Sequence, residues 1–301
     1  MVFKLAHISD IHMGPLPKVR ARELMSKRVT GYINWKRNRA NSMELGTLEA
    51  IVEAVKAANP NHVAITGDLI NIGLEAEVTL AANWLAENWD PKSTSVIPGN
   101  HDAYIRGTLA KAINAWKPFM TGEKSDRYSD GSHFPYMRER DDIAIIGTSS
   151  AVATPAFIAA GRFGTQQAER LASLLKNAGE KGMFRIVLIH HPPVKNAAVP
   201  RKRLYGIRTF QKVIAEHGAE LVLHGHTHLP QRHHIDGPQG ARVPIIGVPS
   251  ASQAPGAKRP AAAFNLFSIE RQDGAWKCSL EEHSLTSAMG TMKITDQSIL
   301  L

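Results

Sequence analysis

The chain has 301 residues, 43% of them hydrophobic and 21% charged, a balance that supports a sizeable buried core and excludes a disordered or fibrous protein. Its single cysteine, Cys278, excludes an internal disulfide and fits a reducing compartment, and we read it as a packing residue. The net charge of +9 is concentrated: between Lys18 and Arg39, eight basic residues (Lys18, Arg20, Arg22, Lys27, Arg28, Lys36, Arg37, Arg39) face one acid, Glu23, so this segment alone carries +7. A block of like charge binds something anionic or stays solvated.

In chain order, the apolar run 3–8 predicts a buried strand that ends in Asp10-Ile11-His12. A basic insertion at about 15–41 follows. At helical spacing its Leu24, Met25, Val29, Tyr32, Ile33 and Trp35 fall on one half of a wheel, an arc that Arg28, Lys36 and Arg39 share. It reads either as a helix packed beside the site with solvated cations, or as a docking surface for an anionic substrate tail or a membrane face. Arg28, Lys36 and Arg37 are therefore candidate substrate contacts. A helix is predicted at about 42–58, where Leu45, Leu48, Ile51, Val52 and Val55 recur at helical spacing and Asn59-Pro60 stops it.

Next come a strand at 63–65 with Gly67-Asp68, a helix at 75–88, and the short run 95–98 with Gly99-Asn100-His101-Asp102. A helix at 105–119 precedes a polar, turn-rich stretch at 121–141 that reads as a loop. A strand at 143–147 and a helix at 165–177 lead to the apolar run 186–189 and His190-His191-Pro192-Pro193. A loop at 194–203 carries Lys195, Arg201, Lys202 and Arg203; a helix at 204–216 and the run 221–223 then bring in Gly225-His226-Thr227-His228. Beyond it, 242–248, 263–269 and 276–282 read as strands without intervening helices. Alternation followed by successive strands predicts an α/β protein with a second sheet packed on the first. We expect one domain over 1–283, and a tail or oligomer contact at 284–301, which is polar and without a period.

Each of the five short blocks has an ordinary reading alone, as a cap, a turn or a strand stopped by proline. Together, each just past an apolar run, they place ligands where strand ends converge on one edge of a sheet. Imidazole with carboxylate suits first-row divalent metals. There are too many ligands for one tetrahedral ion and about enough for two. His191 and His224 flank ligands and read as structural; His133, His233 and His234 read as surface histidines.

The ordered blocks from Asp10 to His228 resemble the calcineurin-like metallophosphoesterase superfamily. The Asn-His-Asp and His-His-Pro-Pro forms of the third and fourth blocks are similar to those of class III cyclic nucleotide phosphodiesterases and glycerophosphodiesterases. The resemblance implies a two-sheet sandwich with helices on both outer faces and two divalent ions, Mn, Fe, Zn or a mixed pair. It implies that Asp68 bridges them, with Asp10, His12 and His228 on one ion and Asn100, His190 and His226 on the other. The nucleophile would be a metal-activated hydroxide. Asn100 and His101 would contact the phosphoryl group, His101 protonating the leaving group, with Asp102 orienting His101 or a neighbouring ligand.

The expected activity is hydrolysis of cyclic nucleotides or other small phosphodiesters. The alternative is a pyrophosphohydrolase for a nucleotide-linked lipid precursor such as acylated UDP-glucosamine, a likeness that rests on Ser26-Lys27-Arg28, Gly31 and Asn34. A non-catalytic scaffold of the same fold need not keep every ligand and His101, and this chain has them. No stacking platform or reader motif supports a nucleic-acid partner. No apolar leader and no run of about 18 apolar residues is present. We therefore expect a cytoplasmic protein, with an anionic membrane surface as a partner for the basic segment.

Overall fold

The computed structural model describes residues 2–24, 26–38, 45–123, 128, 131–287 and 290–301, with the side chains of Asn38 and Leu45 left aside. In chain order the elements are β1 (Phe3–Ile8), α1 (Arg28–Asn38), α2 (Leu45–Ala57), β2 (His62–Ile65), α3 (Glu75–Asn88), β3 (Thr94–Val96), α4 (Thr108–Ala115), β4 (Tyr136–Arg140), β5 (Ile143–Gly147), β6 (Gly161–Arg162) and α5 (Thr165–Glu180). They continue with β7 (Phe184–Leu188), β8 (Leu204–Tyr205), α6 (Ile207–His217), β9 (Leu221–His224), β10 (Gln231–Asp236), β11 (Arg242–Gly247), β12 (Ala263–Gln272), β13 (Ala275–Leu285) and β14 (Met292–Ile299).

Two six-stranded sheets result, ordered β14-β13-β12-β1-β2-β3 and β10-β11-β9-β7-β5-β4, with β6 and β8 forming a small pair. Within them β1, β2 and β3 run parallel, as do β5, β7, β9 and β11.

The apolar runs become strands because both faces of each sheet are covered. In β7, Phe184, Ile186 and Leu188 join the central cluster with Leu5, Phe264 and Phe267 of the other sheet. The alternate residue Val187, with Ile189 just beyond the strand, packs with Leu171 and Leu175 of α5 and Phe210 and Ile214 of α6. On the other side α2 packs on β12, and its stripe Leu48, Ile51, Val52 and Val55 is buried in the central cluster with Val78, Ala81 and Leu85 of α3. Full burial of each such aliphatic side chain contributes about 1.5–3 kcal/mol. Cys278 sits in this cluster, and burial pushes its thiol up to about 12.

Five strands differ from the sequence reading: the short pair β6 and β8, the latter at the start of the helix expected at 204–216, and three in the large sheets. The stretch at 121–141, read as a loop, contains β4; β10 follows the last ligand block; and the stretch at 284–301, read as a tail, contains β14 paired antiparallel to β13. All three are edge strands of polar composition, placed by neighbouring strands rather than by an apolar period. Arg138 of β4 is buried because it donates to the carbonyls of Thr94 (2.9 Å), Pro118 (2.8 Å), Thr121 (2.9 Å) and Pro91. Arg232 of β10 pairs with Glu282 at 2.8 Å and with Asp296, tying one sheet's edge to β13 and β14 of the other.

The basic insertion forms a short 3-10 turn at Ala21–Leu24 and then α1. Met25, Arg39 and the expected helix start at 42 lie outside the described residues. Val29 and Ile33, placed on the apolar half of the wheel, are 42% and 45% exposed, so that half is not a buried face. Among the described residues no helix is long and apolar enough to cross a membrane.

Candidate metal centre

The five blocks leave the ends of β1, β2, β3, β7 and β9. Backbone bonds stitch these ends together: Asp10 N donates to Gly67 O (2.9 Å), His12 N to Asp68 O (2.9 Å) and Gly225 N to His190 O (3.1 Å). The two sheets meet where His226 N donates to Asp10 Oδ2 at 2.8 Å. Ser250, outside every block, donates its hydroxyl to Asp10 O at 2.6 Å.

Five of the expected ligands take left-handed backbone conformations, with φ of 53° at Asp10, 42° at His12, 56° at Asp68, 72° at His226 and 59° at His228. Such conformations cost of order 1–3 kcal/mol each outside glycine and collect at functional sites. Two glycines permit the close approach of loops. A Cβ on Gly99 would lie 2.2 Å from Asp68 Oδ1, and one on Gly225 would lie 1.9 Å from Ser9 Oγ.

The ligating atoms converge. Asp68 Oδ2 is 3.7 Å from His12 Nε2 and 3.4 Å from His190 Nε2. Asp10 Oδ1 is 3.0 Å from His228 Nε2 and 3.8 Å from His12 Nε2. Asn100 Oδ1 is 3.3 Å from His190 Nε2. Asp10, His12 and His228 form one group able to hold an ion, and Asp68, His190 and His226 another.

The donor set fits two cations. His12 Nδ1 is bonded to Ile70 O (3.3 Å) and His190 Nδ1 to Thr66 O (2.6 Å), which turns both Nε2 atoms inward. Such outer bonds to a ring's far nitrogen are what orient metal-binding imidazoles. His226 Nε2 is bonded to Lys202 O at 2.9 Å, leaving Nδ1 for the cluster. The Nε2 atoms of His12 and His228 lie 3.3 Å apart, and both are turned to Asp10 Oδ1.

Electrostatics agree. Burial would raise the Asp68 carboxyl, but His190, His101 and His12 hold it well below its usual range. Burial also opposes ionisation of Asp10, and His228 outweighs it, bringing it to about 2. Burial would lower His190, yet Asp68 and Asp10 draw a proton onto it and push it up to about 9, so a positive charge is favoured there. His191 is brought down to about 3 by burial and by His190; it bonds Ser150 Oγ (2.7 Å) and Ala159 O (3.2 Å), as a structural histidine does. His224 is likewise buried and lowered to about 4, chiefly by burial.

Around these ligands sits a shell that sequence reasoning partly missed. His101 donates its backbone N–H to Asp68 Oδ1 at 2.7 Å, and its ring Nδ1 meets Asn71 O. Tyr104 stacks on the His101 ring with centroids 5.5 Å apart. Glu77 accepts from the amides of Asn71 (2.7 Å), Ile72 (3.1 Å) and Leu74 (2.9 Å), fixing the loop that carries Asn71. Its place in the first turn of α3 was the available signal; nothing in the sequence singled out Asn71 or Tyr104.

Asp102 acts on a neighbouring ligand loop and not on His101. It accepts from the amides of Asp68 (2.9 Å), Leu69 (3.0 Å), Ile70 (3.2 Å) and Gly99 (2.8 Å). It is a fully buried clamp between two ligand loops and positions Asp68 through the backbone, rather than a catalytic residue. Burial first, and the nearby Asp68 second, push its carboxyl up to about 7, against the pull of the Gly99 and Ile70 amides.

A cleft of about 840 Å³ opens over the ligands, lined by Asp68, Asn100, His101, His226 and His228 at its floor. Lys27, Arg37, Arg201, Lys202, Lys258 and Arg259 also line it, from three separate segments. Of the three cations expected to touch substrate, only Arg37 lines this cleft. Arg28 instead donates to Ile72 O (3.1 Å) and Gly73 O, fastening α1 to the body, because its side chain leaves the helix on the inward side. Lys36 is exposed and lies over the Tyr32 ring at 5.2 Å.

Two mixed sheets with acidic and imidazole ligands on facing strand ends define a metallophosphoesterase. The model of the calcineurin-like phosphoesterases matches residues 3–230, and the chain belongs to that family. Nothing among curated proteins matches it. Among solved structures it is similar to a dimetal phosphatase from Danio rerio, with TM-score 0.66 and 14% identity over 99% of this chain and 98% of that one. It is also similar to a purple acid phosphatase from yellow lupin seeds, with TM-score 0.61 and 14% identity over 99% of this chain and 53% of that one. A third likeness is to the NAD nucleotidase of Haemophilus influenzae, with TM-score 0.50 and 12% identity over 99% of this chain and 50% of that one.

Proposed function

We propose that this metal-dependent phosphohydrolase is a phosphodiesterase, cleaving cyclic nucleotides or other small diesters with His101 as general acid. The observation that supports it is the setting of His101. Its amide is fixed to Asp68 and its Nδ1 to Asn71 O, so Nε2 is the ring nitrogen placed to hand a proton to a leaving oxygen. The seven ligands would hold two divalent ions, which when bound would supply Lewis acidity and an activated water. Asn100 stands beside that position, and Arg37 and Arg201 on the walls offset the charge of a phosphoester. The leaving group of a cyclic nucleotide or an alkyl diester is an alkoxide of high pKa, which is where a placed acid accelerates most.

A second reading, a pyrophosphate-linked lipid precursor hydrolysed at an anionic membrane face, draws on two further observations. The cleft lies toward the upper end of the roughly 300–1,000 Å³ range for small-molecule sites. The outward face of α1 exposes Val29 and Ile33 beside Lys36, as an interfacial helix does. This reading keeps the protein cytoplasmic, at the inner membrane surface.

A panel of metals assayed against cyclic, aryl and acylated substrates tests both. Turnover of cyclic or aryl diesters in plain buffer supports the first; turnover confined to an acylated pyrophosphate in detergent supports the second and removes the first.

A further inference from the structure

The basic helix does more than line the cleft. Gly31 of α1 lies against Tyr104: a Cβ there would fall 2.2 Å from Tyr104 Oη, 2.7 Å from its Cζ and 3.0 Å from Ile72 Cγ2. Tyr104 in turn stacks on His101, with rings 20° from parallel, and His101 meets His12 edge-on at 4.8 Å. Lys27, immediately before α1, sets its Nζ 4.5 Å from the centre of the Tyr104 ring and donates to Thr154 Oγ1 at 3.0 Å. Arg28 holds the carbonyls of Ile72 and Gly73, next to the Asn71 carbonyl that meets His101 Nδ1. Both supports of the His101 ring, the stacked face and the Nδ1 acceptor, therefore belong to structure on which α1 rests.

We propose that α1 is a positioning wall for the general acid, with Gly31 and Tyr104 as positioning residues that set the His101 ring for proton donation. The proposal rests on the reading of His101 as the acid. It gives the insertion a role in the chemical step, apart from any role in docking. Glycine suits this contact, because a Cβ at position 31 cannot be seated unless the Tyr104 ring or α1 moves. Helix propensity alone would favour alanine at this position, so loss of function in Gly31→Ala comes from the overlap and not from the helix.

The test uses the full metal-loaded chain and a series of aryl and alkyl phosphodiesters of rising leaving-group pKa. Gly31→Ala is expected to keep its metals and lose roughly 10–10²-fold in kcat for the poorest leaving group, with little loss for the most acidic one. Tyr104→Phe in the Gly31→Ala background removes the atom of closest overlap but leaves Cζ within 2.7 Å, and is expected to restore only part of the lost rate. Tyr104→Leu, which leaves α1 untouched, is expected to show the same selective loss, and it serves should Gly31→Ala fail to fold. His101→Ala is measured alongside. If it is selective for poor leaving groups while Gly31→Ala and Tyr104→Leu behave as wild type or lose rate uniformly, the wall is wrong. If His101→Ala itself loses rate equally across the series, the acid reading is wrong and the proposal falls with it.

Discussion

The backbone N–H of His101 lies 2.7 Å from Oδ1 of Asp68. One carboxylate oxygen is thereby held by protein, and the other, Oδ2, is turned to His12 and His190, one from each of two groups able to hold an ion. The same bond fixes the residue that we assign as acid relative to the residue that we assign as bridge. Replacing the His101 ring leaves that backbone bond in place. His101→Ala is thus expected to retain both metals and to lose roughly 10²–10⁴-fold for diesters with poor leaving groups. Metal analysis together with a leaving-group series checks this; loss of metal would move His101 into the ligand set.

Asp102 accepts four backbone N–H groups in a site without solvent. Asp102→Ala leaves them without acceptors, at about 1–3 kcal/mol for each that finds no water. We expect a loss of stability of about 3–5 kcal/mol and weaker metal retention, because the Asp68 and Gly99 loops lose their clamp. Any activity that survives at saturating metal should keep the wild-type dependence on leaving group. A stable, fully metallated Asp102→Ala would show that the clamp is dispensable.

Within the basic segment the cations divide by role. Arg28→Ala removes the bonds to Ile72 and Gly73 and is expected to lower stability by about 1.5–3 kcal/mol, the range for bonds to charged groups. Arg22→Glu with Lys36→Glu, both exposed, should leave folding and turnover of a small aryl diester unchanged. The double reversal should weaken binding to anionic vesicles. The wild-type binding itself should fade between 0.1 M and 1 M salt, as the Debye length falls from about 10 Å to about 3 Å. Wild-type vesicle binding indifferent to salt, or absent, removes the membrane reading.

Cys278 is 1% exposed, with its thiol pushed up to about 12 by burial. A group raised in the folded state adds stability that is full below its unfolded value, near 9, and is lost as pH climbs toward 12. We therefore expect no reaction with thiol reagents in the native protein at pH 8, and a melting temperature that falls above about pH 9, less steeply in Cys278→Ala. Rapid native-state alkylation would contradict this packing.

The ligand blocks were legible because each pairs a short apolar run with residues rich in metal-binding groups, and because a strand buried on both faces needs no alternation to be seen. The helix stripe of α2 and the buried strands β5, β7 and β9 followed from the same signal. What escaped was held by partners distant in sequence. β4, β10 and β14 are polar edges that pair because a neighbour offers a free strand. Asp102 looked like a neighbour of His101, but the turn points its carboxylate back to the amides at 68–70 and 99. Arg28 was expected to touch substrate, but its side chain fastens onto two backbone carbonyls instead. Neither orientation can be read without the loop conformations, several of which depend on positive φ at non-glycine residues.

The most direct test is elemental analysis of wild type and Asp68→Ala, each loaded with manganese and desalted, beside turnover of an aryl phosphodiester. If Asp68 joins two ions, wild type holds close to two per chain, and Asp68→Ala loses metal at both positions and nearly all activity. Close to two ions per chain in Asp68→Ala, or diester turnover near wild type without them, would contradict the bridged centre.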